Sequence, residues 1–213
     1  MGTQQNKNVR LLTIAAFLSI YLIWGSTYLA IKYAIDSVPP FMMAGARFLL
    51  AGAILYLYMR LTGAERPTFK NWVQASIVGT LLLTLGNGGV VLAEKYVPTG
   101  ICALLVAMVP VYVAVLEHVN KGLPNRRTVA GLILGTLGIF ILVGPAAFIS
   151  HSAINWFGVA AVLLGSLGWS IGSVYARGAN LPKSPMMSTA MQMLSGGFIL
   201  TLVSLVMGEF HAM

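Results

Sequence analysis

Two cations, Lys32 and Arg47, pose the chemical question of this sequence. They stand within or beside long apolar runs on either side of a turn at Asp36 to Pro40, in the stretch IWGSTYLAIKYAIDSVPPFMMAGARF from Ile23 to Phe48. A charge at the middle of a membrane helix costs roughly 2.5 to 3.5 kcal/mol, so it normally faces a protein interior or a water-filled cavity. A guanidinium at that depth must have a partner, and its planar fork suits a carboxylate or phosphate. Asp36 and Glu94 are the acids placed near the same side, and both fall at predicted helix ends. Lys32 would repel Arg47 unless an anion lay between them, so the pair predicts a place for an anionic group of a solute. The competing reading gives Arg47 only backbone carbonyls, freed by Pro110 or by the Gly86 to Gly89 stretch, and a purely structural task.

The surroundings of these cations carry further polar groups at helical spacing. Tyr21, Trp24, Tyr28 and Lys32 follow one another at three or four residues and share a helix face. Adding 145 to each number gives Ser166, Trp169, Ser173 and Arg177, and the same offset lays Arg47 on Gln192. These stripes read as a cavity lining or as interfacial aromatic belts. Lys32 also has the reach to snorkel to water. Thr80, Thr84 and Asn87 form another stripe, with Asn87 either lining a pathway or bonding across helices. Glu94 and Glu117, at helix ends, are expected to face water, with Glu94 retained as a partner for Lys32 or Arg47 or as a proton carrier. Pro110 lacks an amide in mid-segment and predicts a kink.

What must position these residues is a set of membrane helices. Of the 213 residues 58% are hydrophobic and only 8% charged, which excludes an ordinary soluble domain. The net charge of +8 does not read as a nucleic-acid surface, because the cations sit in short gaps between apolar runs. Seven segments are apolar for about the 20 residues a bilayer crossing needs. They run Leu11 to Ile35, Phe41 to Met59, Trp72 to Ala93, Gly100 to Leu116, Val129 to Ile149, Trp156 to Ala176 and Met186 to Met207. The predicted class is therefore all-α, a polytopic helical bundle. Gly131, Gly135 and Gly138, with Gly165, Gly168 and Gly172, predict close helix contacts. Cys102 is a small packing residue. His118, His151 and His211 are scattered, so no metal site is expected, and GNGG inside an apolar run is no phosphate loop.

Loop cations set the orientation. Lys7 and Arg10, then Arg60, Arg66 and Lys70, then Lys121, Arg126 and Arg127, then Arg177 and Lys183 occupy alternate gaps, against Lys95 alone on the other side. By the positive-inside rule the N-terminus is cytoplasmic, and seven crossings put the C-terminus outside. Between Trp24 and Gly63 the offset of 145 gives 10 identities in 40 ungapped pairs, including Trp24 on Trp169, Pro40 on Pro185, Gly52 on Gly197 and Gly63 on Gly208. One period holds five helices, an odd number, so the second copy is inverted, as in secondary transporters. The parse is one five-helix repeat over 11–149 and two helices of a second over 156–213. Partners of the third to fifth helices are expected after Gly208 and do not occur before Met213, which makes a transporter fragment one expectation.

At IWGSTYLAIK, PPFMMAGARF, GNGGVVLAEKYVPTG and GSVYAR the sequence resembles the EamA family of the drug/metabolite transporter superfamily. The resemblance spans nearly the whole chain from Leu11. It implies ten helices in two inverted repeats, an inner-membrane location, and movement of small organic solutes without ATP or a cofactor. Lys121-Gly122-Leu123-Pro124 stands where relatives often carry Gly-Glu. A seven-helix receptor or accessory membrane protein is the alternative class, although the seventh segment has no lysine for a retinal Schiff base.

Overall fold

A computed structural model describes residues 2–118, 125–149 and 155–211, so Lys121 to Pro124 and His151 lie outside the described residues. Every regular element among them is helical. The order is α1 (Gly2–Ile35), α2 (Pro40–Leu61), α3 (Phe69–Gly79), a π-helix (Thr80–Asn87), α4 (Gly88–Ala93), α5 (Thr99–Val106), α6 (Val109–His118), α7 (Arg126–Ile149), α8 (Trp156–Ala176), α9 (Pro185–Val206) and a 3-10 turn (Glu209–His211). Among the described residues six stretches are long and apolar enough to cross a membrane: Val9–Ile35, Pro40–Leu61, Phe69–Ala93, Thr99–His118, Trp156–Ala176 and Pro185–Val206. The seventh expected span, Val129 to Ile149, falls on α7, which is helical but is not one of the six.

Helix boundaries follow local chemistry. Pro39 precedes α2, and Pro40 opens it, where a missing amide costs nothing. Thr68 and Asn71 form a reciprocal capping box at α3. Asn155 and Ser184 cap α8 and α9 with side-chain oxygens. The fourth span is broken at Ala107 and Met108 between α5 and α6. Pro110 has no amide to return to Val106, which explains a break one turn before it.

The core is made of backbones brought close by glycine. On α2, a Cβ at Gly52 would lie 2.9 Å from Met193 Cβ, 3.0 Å from Leu194 N and 3.2 Å from Ala190 O. On α9, a Cβ at Gly197 would lie 3.1 Å from Phe48 Cβ, 2.9 Å from Leu49 N and 3.1 Å from Gly45 O. Each contact of the first set maps onto one of the second by the offset of 145. The only two left-handed residues among those described, Gly63 (φ 84°) and Gly208 (φ 70°), end α2 and α9 and are separated by the same offset. Gly89 and Gly165 meet where the third span crosses α8, with a Gly165 Cβ 3.0 Å from the carbonyls of Leu85 and Gly86. Gly168 and Gly172 press on Leu85 and Leu81, whereas Gly131, Gly135 and Gly138 on α7 have nothing within 4 Å. The expected close packing through glycine therefore holds for α8 and fails for α7. Gly25, on the thinly covered α1, is equally free, so Gly25→Ala is expected to raise the melting temperature slightly through helix propensity alone. Thermal unfolding in detergent checks this, and a loss of stability would mean that α1 packs against more than is seen.

Candidate functional site

Five elements converge on one cleft of about 560 Å³, whose walls include Trp24 and Thr27 of α1, Arg47 of α2, Asn87 of the π-helix, Trp169 of α8 and Met193 of α9. The Arg47 guanidinium donates from Nη2 to Asn87 Oδ1 at 2.9 Å and lies 4.6 Å from the centre of the Phe48 ring. Its Nε is buried without a partner. Asn87 is neutral, and the described ion pairs leave Arg47 without an acid. Trp24 and Trp169, equivalent under the offset, stack with ring centres 5.9 Å apart and planes 28° apart. A cation with spare donors thus faces a cleft walled by two stacked aromatic rings, a setting able to hold a small solute with a negative group and a flat or apolar body.

The π-helix puts Asn87 there. Its widened turns are rare and cluster at functional sites, and they re-aim the residues that follow. The stripe of Thr80, Thr84 and Asn87 expected from regular helical spacing is accordingly split. Thr80 donates to Ser76 O on its own helix and Thr84 to Gly196 O on α9, and only Asn87 reaches Arg47.

The other expected site residues lie elsewhere. Lys32 pairs with Asp36 one turn on at 3.7 Å, both side chains substantially exposed, so it is a cation at the C-terminal end of α1 and does not meet Arg47. Gln192 donates to Ser188 Oγ at 2.9 Å within α9 and, like Ser173, does not line the cleft. Glu117 pairs with Arg177 at the opposite end of the bundle. Pro110 sits just past a break whose Val109 carbonyl accepts a long 3.4 Å bond from Ser170, and it gives Arg47 no carbonyl. Glu209 was not signalled by any motif. Its carboxylate accepts from the amides of Phe41 and Met42 at the start of α2 and from Ser204 Oγ. Free amides and the positive dipole end of a helix attract such a group.

Glu94 corrects a sequence expectation. It does not face water: it is 2% exposed, and neither carboxyl oxygen has a hydrogen-bond partner. The cause is tertiary, because Ala93, Val97, Cys102 and Val162 form a buried cluster beside it and Gly158 lets α8 close onto Val97 and Tyr96. Burial pushes the carboxyl from its usual 4.5 up to about 7, while Lys32 pulls it down. Between those values the folded chain holds a proton that the unfolded chain has released, so stability falls as pH rises through that window and levels off above it. Unfolding at about pH 5 and about pH 8 should show this loss in the parent chain and a flatter profile in Glu94→Gln. Equal slopes would contradict the burial of an ionisable group.

Comparison with known proteins fits this architecture. The EamA-like transporter family matches residues 11–144. The chain is 38% identical over 195 residues to the uncharacterized inner membrane transporter YedA of Escherichia coli K12, covering 91% of this chain and 62% of that protein. It is 29% identical over 164 residues to the uncharacterized transporter YoaV of Bacillus subtilis 168, covering 75% of this chain and 55% of that one. A crystal structure superposes with a TM-score of 0.63 at 22% identity, over 88% of this chain and 64% of the other, which is a likeness of fold. The chain thus spans roughly three fifths of the length of these relatives. With its apolar helices, its glycine-packed core and a match covering more than half its length, the chain belongs to the EamA-like transporter family.

Proposed function

We propose that this chain builds the solute pathway of a secondary transporter, moving small organic metabolites or amino-acid-like solutes across the inner membrane by alternating access and without ATP. The observation that carries the reading is Arg47, a half-buried cation with a neutral amide as its described hydrogen-bond partner and donors to spare, in a cleft walled by Trp24 and Trp169. Keeping a guanidinium there without an acid is costly, and an anionic group on the solute offsets that cost when bound. Labelled acidic, zwitterionic and basic solutes offered to proteoliposomes of the purified chain test it. Saturable uptake of the acidic or zwitterionic class without nucleotide is expected. Uptake of none, or uptake that needs ATP, contradicts it.

In this reading the chain comprises one five-helix repeat, 11–149, and the first two helices of an inverted second, 156–213. The reciprocal contacts of Gly52 and Gly197 and the paired left-handed Gly63 and Gly208 support it. The N-terminus lies in the cytoplasm, as the distribution of loop cations favours. A periplasm-dependent reporter fused after Met213 should be active and a cytoplasm-dependent one silent. The reverse pattern would mean an even number of crossings.

A further inference from the structure

Glu94 lies outside the cleft that Arg47 lines and takes no part in binding there. A carboxyl 2% exposed, with both oxygens unpartnered, is expensive as an anion, since buried charges need pairing and hydrogen bonds. As a neutral acid it is far cheaper. A metal cation is poorly served, because it needs several oxygen ligands and no acid or histidine cluster able to hold one occurs among the described residues.

The groups around Glu94 suit a proton. From α1 the titratable neighbours are Tyr28 and Lys32, and from α5 Cys102, which is itself buried and bonded through Sγ to Val97 O at 3.6 Å. α8 brings small and apolar residues there, and its tyrosine, Tyr175, is bonded to Gln74. Of the α2 cations, Arg47 is committed to Asn87 and Arg60 to Ala64 O. Lys95, next in the chain, is exposed. Among the described residues Lys32 is the cation acting on the carboxyl, and its exposed pairing with Asp36 leaves it able to move. Glu94 follows Asn87 by seven residues, two helical turns further along and just past the end of the same span, as Tyr28 and Lys32 follow Trp24 by one and two turns on α1.

We propose that Glu94 is a proton-exchange site coupled to the transport cycle, protonated in the conformation seen here and deprotonated when the outer ends of α1 and α4 separate enough for water and the Lys32 ammonium to reach it. The O–H bond of the carboxyl breaks, the proton passes to water, and the resulting carboxylate is compensated by Lys32. On the next closure the carboxylate takes a proton from water and buries it. The coupling rests on the transport reading, whereas the protonation itself does not.

Infrared titration of the purified chain in lipid, in parallel with Glu94→Gln and Lys32→Gln, separates the two. A protonated carboxyl C=O band that disappears around neutral pH, is missing in Glu94→Gln and shifts to higher pH in Lys32→Gln is expected. The lysine variant changes only an exposed side chain, so it remains informative if Glu94→Gln fails to fold. No band titrating above the ordinary carboxylate range, a band that persists in Glu94→Gln, or a midpoint indifferent to Lys32 would overturn the proton site. In vesicles, an imposed pH gradient should accelerate solute accumulation by the parent chain and not by Glu94→Gln, with solute exchange at equal pH surviving in both. Exchange in the parent that ignores the gradient would overturn the coupling. A titrating band in a chain that moves no solute would uphold the proton site and remove the transport reading.

Discussion

Arg47→Gln is expected to reduce uptake of acidic and zwitterionic solutes by about tenfold to a hundredfold while leaving insertion and folding intact. A hydrogen bond to a charged group contributes about 1.5 to 3 kcal/mol, and losing one to a bound anion accounts for a factor of that size. Gln stands at the position equivalent by the offset of 145, Gln192, where α9 accommodates it. Stability should change little, because the guanidinium has one direct hydrogen-bond partner, Asn87, and one buried nitrogen with none. Removing a partly buried charge offsets the loss of that bond. The check pairs uptake with thermal unfolding of the same preparation. Loss of both would assign Arg47 to folding, and unchanged uptake would remove it from the pathway.

The other large effect is expected at the seam between α2 and α9. Gly52→Ala and Gly197→Ala should each destabilise the fold, by similar amounts and by about 1 to 3 kcal/mol. Alanine is favoured over glycine in a helix by about 1 kcal/mol, so propensity works against this outcome. Packing wins because each new Cβ would come within 2.9 to 3.2 Å of main-chain atoms of the facing helix, which cannot rotate away. The whole helix must shift, and the Cβ contacts with Met193 and Phe48 shift with it. Thermal unfolding of the two variants provides the comparison. A tolerated Gly197→Ala beside a disruptive Gly52→Ala would mean that the two sides of the seam are not equivalent.

How much could be read in advance depended on whether a feature was local or tertiary. Apolar runs and prolines locate the six spans within a few residues, because bilayer thickness and missing amides act on the chain locally. The offset of 145 placed Trp24 opposite Trp169 in the alignment, and the folded chain stacks them. Asn87 was recognisable as polar, but its meeting with Arg47 was not, since a π-helix breaks the 3.6-residue periodicity on which any face assignment rests. Glu94 looked solvated because it ends a helix. Its burial comes from α1, α5 and α8 closing around it, which no pattern around residue 94 encodes. No motif marks Glu209, and its target 167 residues away at Met42 is visible only once α2 and α9 are packed.

Thiol protection at Thr27 tests most directly whether the solute sits between Arg47 and the stacked tryptophans. Thr27 lines the cleft from α1, bonded only to Ile23 O of its own helix, so a cysteine there leaves the walls in place. With Cys102 replaced by alanine, Thr27→Cys should react with a small water-soluble maleimide. A solute that the vesicles accumulate should slow that reaction severalfold, and the same solute should have no effect once Arg47→Gln is added. Labelling that is indifferent to a transported solute, or protection that persists without Arg47, would place the solute elsewhere and contradict the account.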